Sequence, residues 1–122
     1  MANHEPLTAS TSRDGETVHL TCHGSAESGA MTQLAQAIDG VHAEAIGSAT
    51  REVIADIRGL EFASSSCLKV FVTWLQRVKD LQDAQRYRVV FRSNPRHSWQ
   101  RRSLGALAAF AGNVVDIQTE AE

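Results

Sequence analysis

Cysteine is scarce and unpatterned in this chain of 122 residues: Cys22 and Cys67 stand far apart with no Cys-x-x-Cys spacing. Their isolation argues against a zinc site or a disulfide scaffold and fits a reducing compartment. No apolar run approaches the roughly 18 residues that a membrane-spanning helix needs. Met1 to Ser12 is polar and lacks the apolar core of a signal peptide. The chain also lacks a Gly-rich phosphate loop, a catalytic triad, an internal repeat and a low-complexity tract. His19 and His23 are four strand steps apart, roughly 13 Å, too far to share one metal ion. Asp56 and Glu61 have no nucleophile or metal-ligand cluster around them to make them a catalytic pair. The expectation is a cytoplasmic protein that is not an enzyme, with no cofactor and no metal.

The length suits one domain, and 43% apolar residues are enough for one ordinary core. Acid is missing from one region. Residues 84–115 hold Arg86, Arg88, Arg92, Arg96, Arg101 and Arg102 and no Asp or Glu, whereas residues 1–83 hold 11 acids against 6 Lys and Arg. A basic face toward the C-terminal third points weakly to acidic partners. The net charge of −2 counts against nucleic acid.

Residues 1–6 read as a flexible leader. Leu7 to Ser12 is a short strand, Arg13-Asp14-Gly15-Glu16 a turn, and Thr17 to His23 a strand of period two with Val18, Leu20 and Cys22 on one face. Together they read as a hairpin. Met31, Leu34, Ile38, Val41 and Ala45 recur at helical spacing, and Gly47 can end that helix. Glu52 to Arg58 is the next strand, with Gly59 as a turn. A helix follows over about Ser64 to Leu81, with Leu68, Phe71, Val72, Leu75 and Val78 on its apolar arc and Cys67 and Trp74 on one flank. Tyr87 to Arg92 is a strand with Tyr87, Val89 and Phe91 on one face. Ser98 can cap a last helix containing Trp99, Leu104 and Leu107, and Val114 to Ile117 is a final strand. The order ββαβαβαβ implies a mixed, mainly parallel β-sheet with helices packed on it, an α/β fold. The domain should run over 7–118, with an acidic tail at 119–122.

The stretch from Leu60 to Leu68 organises the rest. A strand hands over to the strongest helix, and Ser64, Ser65 and Ser66 stand at the junction. A helix start leaves about four N–H groups unpaired and carries partial positive charge, so a serine caps it and a phosphate is held by the same groups. Ser64 is the better capping candidate, which leaves Ser65 free. Lys69 follows Ser65 at the i,i+4 spacing that brings side chains together.

This junction resembles the STAS domain of anti-sigma-factor antagonists, whose pattern is Asp-Leu-Ser-x-Val-x-Phe-Ile-Asp-Ser-Ser-Gly-Leu. Here Asp56, Phe62, Ser65, Ser66 and Leu68 match it, while Ser64 replaces an aspartate and Cys67 a glycine. Gly24-Ser25-Ala26-Glu27 is similar to the family's Gly-Glu-Leu-Asp after the hairpin, with Glu27 for the aspartate. The likeness spans about Leu7 to Ile117.

The resemblance implies a single STAS-like domain and a phosphorylation site at Ser65, with Ser64 and Ser66 as alternates. Unmodified, such a protein binds an anti-sigma factor with serine-kinase activity and frees a sigma factor; phosphorylated, it lets go. Glu27, Ser64, Ser65, Ser66, Cys67 and Lys69 are the expected partner-binding residues, with the turn Ser93–Ser98 a further candidate, in a monomer or weak dimer. Two other functions stay open: a STAS scaffold subunit indifferent to phosphorylation, in a stressosome-like or transporter-associated complex, and a nucleic-acid module using the C-terminal arginines.

Overall fold

In a computed structural model, residues 5–48 and 50–120 are described. The hairpin pairs β1 (Thr8–Asp14) with β2 (Thr17–Ala26) in antiparallel register through Gly15, which adopts φ +62° in the turn. The remaining elements alternate: α1 (Met31–Gly47), β3 (Glu52–Ala63), α2 (Ser65–Lys79), β4 (Arg88–Ser93), α3 (Ser98–Ala111) and β5 (Val115–Thr119). Every neighbouring pair from β2 onward is parallel, and the sheet order is β1-β2-β3-β4-β5. Because each crossover moves one strand along in the same direction, right-handed connections place all three helices on one face. The order ββαβαβαβ and the mixed sheet are thus as the sequence implied.

The covered face holds the core. Val18, Leu20 and Cys22 of β2, Val53, Ala55 and Ile57 of β3, and Val89 and Phe91 of β4 are all buried there against Leu34, Ile38 and Val41 of α1 and Phe71, Trp74 and Leu75 of α2. Burial pushes the Cys22 thiol up to about 12, with the charge of Asp56 adding to it; both cysteines are free and buried. The other face of the sheet carries His19, Thr21, Ile54 and Asp56, none of them fully buried.

One polar chain runs through this core. Trp74 Nε1 donates to Tyr87 Oη at 2.8 Å, and Tyr87 Oη lies 2.7 Å from His42 Nδ1. An indole N–H only donates, so the tyrosine accepts from it, while the His42 tautomer sets which partner donates in the second bond. Burial, helped by Arg77 and opposed by Asp39, keeps the His42 pKa below the ordinary histidine value.

Several boundaries differ from the sequence reading for identifiable reasons. Gly59 is not a turn: β3 runs through it to Ala63, with register shifts against β2. A Cβ at Gly59 would collide with the imidazole of His23 on β2, so the glycine permits a close strand approach. Val72, expected on the apolar arc, is 37% exposed, whereas Cys67 and Trp74 on its flank are buried, so that flank of α2 faces the core. Ser98 does not cap α3: His97 occupies the N-cap without a side-chain cap, and Ser98 is the first helical residue. The last strand is longer than Val114 to Ile117, reaching Thr119. Glu5 and Pro6, expected in the leader, lie against the sheet, with Ser25 N–H donating to Glu5 O at 2.9 Å and Pro6 bridging to Ser25. The rest of the leader, Met1 to His4, and Ala121–Glu122 of the tail fall outside the described residues. Among the described residues no helix is long and apolar enough to cross a membrane.

Candidate functional site

Parallel strands gather their outgoing loops at one end of a sheet, the usual location of a site in an open α/β fold. Here that end collects the segment after β2, the β3–α2 corner and the β4–α3 turn. Gly24, at φ +83°, turns the chain where any Cβ would run into the carbonyls of Glu5 and Pro6. A short 3₁₀ turn, Ser28–Ala30, then leads into α1, with Ala30 N–H donating to Glu27 O at 2.8 Å. Glu27 itself is exposed.

The serine corner divides its labour by position. Ser64 is the N-cap of α2, extended at φ −66° and ψ 162°, and its Oγ accepts the Cys67 N–H at 3.2 Å. Its own N–H donates to Ala26 O at 2.8 Å, tying the corner to the end of β2. Ser65 is the first helical residue and its side chain is exposed. Ser66 is half-buried and lines a groove of about 370 Å³ between α1 and α2, together with Met31, Lys69 and Trp74. Lys69 is exposed and forms no ion pair among the described residues.

Cys67 requires a correction. The sequence reading placed it on the contact surface, but it is 0% exposed, and its thiol donates to Glu27 O at 3.4 Å. It therefore underlies the surface and braces the Glu27 loop against α2, instead of meeting a partner directly. As the third residue of α2, after Ser65 and Ser66, it is turned into the core, where a small thiol fits. One residue was missed in the opposite sense: Phe62, noted only as a pattern match, is 46% exposed at the end of β3.

Behind the corner, β3 leaves β4. Their ladder stops at Asp56 against Arg92, while β3 stays paired with β2 as far as Ala63. The carbonyls that β4 no longer reaches are met by side chains from the β4–α3 junction. Gln100 Nε2 donates to Ile57 O at 2.6 Å and Leu60 O at 2.9 Å, Asn94 Nδ2 to Arg58 O at 3.2 Å, and Trp99 Nε1 to Glu61 O at 2.8 Å. Gln100 is 0% exposed and also accepts the Asn94 N–H at 2.8 Å. None of these roles was anticipated, although Gln100 precedes Leu104, Leu107 and Ala111 at helical spacing and so belongs to the buried stripe of α3.

Asp56 lies on the uncovered sheet face and takes a bidentate contact from Arg58, with Nε and Nη2 at 2.9 and 2.8 Å. Burial opposes its charge, but the Arg58 hydrogen bonds and the charges of Arg58 and Arg92 outweigh it and hold its pKa below the usual carboxylate value. Glu61 is exposed and apart from it. No group of three or more His, Cys, Asp or Glu able to hold a metal ion exists among the described residues.

No protein-family model matches this sequence, and no curated protein matches it. The structure does have relatives in shape. A crystal structure titled as an anti-sigma factor antagonist from Mycobacterium paratuberculosis superposes with a TM-score of 0.67 over 92% of this chain and 85% of that one, at 14% identity. With the five-stranded mixed sheet and three helices, the chain therefore has the STAS-like fold that its strand-to-helix serine corner had implied.

Proposed function

We propose that the protein is a partner-binding regulator, an anti-sigma-factor antagonist whose contact surface is the serine corner and whose affinity is set by phosphorylation of Ser65. The observation that carries the reading is the contrast within the corner: Ser65 is exposed while Ser64 is engaged as the cap and Cys67 is sealed beneath. Ser65 is thus the serine a kinase can reach without dismantling the helix start. Phe62 and Lys69 flank it with apolar area and a free positive charge, and Glu27 adds an exposed carboxylate.

A phosphate there adds roughly −1.5 to −2 charges. Inside the domain that charge is tolerated, because helix-start N–H groups and Lys69 receive it. Within a docked interface the same charge must be desolvated or faced by a like charge, and binding weakens. The partner is an anti-sigma factor with kinase activity, and the protein itself works by binding and not by catalysis, in the cytoplasm, as one domain. A phosphorylation-indifferent scaffold is the second reading; it is favoured by Phe62, whose exposed ring serves a contact whatever the state of Ser65.

Intact-mass measurement of the protein isolated from its own cells tests the switch. The expected result is a satellite about 80 Da heavier that disappears in Ser65→Ala. A satellite that persists in Ser65→Ala, or none under any growth condition, assigns the corner to the scaffold reading.

A further inference from the structure

A second surface lies at the far edge of the sheet. A cleft of about 350 Å³ runs between α3 and the end of β5. Its wall is polar and cationic, with His97, Ser98 and Arg101, and its floor is apolar, with Leu104 and Ile117. Gly105 leaves a gap in the helix side, where an added Cβ would meet nothing within 4 Å.

Two further observations bear on what fits it. First, Arg13, Arg58, Arg77, Arg86, Arg88 and Arg92 each meet a carboxylate. Arg96, Arg101 and Arg102 form no ion pair among the described residues, and neither does Arg51. Of the three unneutralised arginines, Arg101 lines the cleft, while Arg96 stands in the preceding turn and Arg102 next to Arg101 in α3. Second, β5 is an edge strand. Glu120 donates its N–H to Ser93 O, so by alternation the N–H groups of Ile117 and Thr119 face away from β4, toward the unpaired edge. Ile117 is on the helix-covered face yet remains 39% exposed, because α3 does not reach over it.

We infer that this edge receives an extended acidic segment of a partner protein, which adds a strand to β5. In an extended segment alternate side chains share one face. An apolar residue placed over Ile117 and Leu104 is therefore followed two positions on by an acidic one directed at Arg101 and His97. Main-chain bonds to Ile117 and Thr119 hold the segment, and the side-chain pockets select it. The inference goes beyond the serine corner and does not depend on it.

The test uses the whole protein and a labelled peptide of about eight residues with the repeat Val-Thr-Glu-Thr, which sets valine and glutamate two apart on one face, with lysine for glutamate in its counterpart. Fluorescence anisotropy should show binding of the acidic peptide only, weakening with added salt. Arg101→Glu and Gly105→Leu should each weaken it by about tenfold or more. Gly105→Leu fills the cleft from a position with open space and a gain in helix propensity, so its melting temperature should not fall. Amide shifts in the NMR spectrum should centre on Ile117 and Thr119, and Ser65→Asp should change nothing. The inference is overturned if the acidic peptide does not bind, if the lysine peptide binds as well, or if the two cleft variants bind unchanged. It is equally overturned if a single-stranded oligonucleotide outcompetes the peptide at the arginines, or if sedimentation shows β5 pairing with a second copy.

Discussion

Two strand-to-helix junctions stand side by side at one end of this sheet, and they use polar side chains in opposite ways. At the β3–α2 corner the polar groups act locally: Ser64 caps its own helix, and Ser65 and Lys69 are left facing outward. At the β4–α3 junction the helix has no side-chain cap, and Asn94, Trp99 and Gln100 reach across to the carbonyls of β3 instead. The first junction can change its surface chemistry with little effect on the fold. The second cannot, because its side chains complete the backbone bonding of the strand that presents the first. The outward serine is therefore rigid on account of residues it does not touch.

This contrast predicts a graded series. Gln100→Leu should be the most damaging, because it strips two buried carbonyls and one N–H of their partner; at about 1–3 kcal/mol for each orphaned group, a loss on the order of 3 kcal/mol in urea unfolding is expected. A loss near zero would mean that β3 does not need α3. Tyr87→Phe should come next, at about 2 kcal/mol, since it orphans both the Trp74 indole N–H and His42 Nδ1.

The same network gives a pH signature. The His42 pKa is lower folded than unfolded, so the unfolded chain takes up the proton first as pH falls. Stability should therefore be unaffected well above about 6.5, fall as pH drops below it, and level off below the folded pKa. His42→Gln should flatten that part of the curve, and an unaltered slope would show that His42 is not held neutral.

Much of this was legible in the chain itself. The period-two run Val18, Leu20, Cys22 and the helical spacing of Leu34, Ile38 and Val41 mark a half-buried strand and an amphipathic helix, and hydrophobic periodicity is the signal that survives best without coordinates. The serine corner was visible because capping chemistry is local. What stayed hidden is what depends on distant partners. Gly59 looks like a turn until His23 is seen lying across it. Gln100 looks like a surface residue until the β3 carbonyls are seen without a fourth strand. Cys67 was placed at the contact surface through the family pattern, although its position beside Trp74 on the flank of the apolar arc pointed inward.

Smaller effects belong to the first junction. Ser64→Ala removes a cap and should cost about 1 kcal/mol in thermal or urea unfolding. Ser65→Ala should stay within about 0.5 kcal/mol of the parent, as expected of an exposed side chain away from such features; a cost as large as that of Ser64→Ala would exchange the roles of the two serines.

The most direct measurement of the central claim compares Ser65→Ala with Ser65→Asp in the protein's own cells, each tagged and recovered with whatever it binds, after both are shown to melt with the parent. The account predicts that Ser65→Ala retains the parent's partner and Ser65→Asp loses it. Equal recovery of the same partner by both would contradict it.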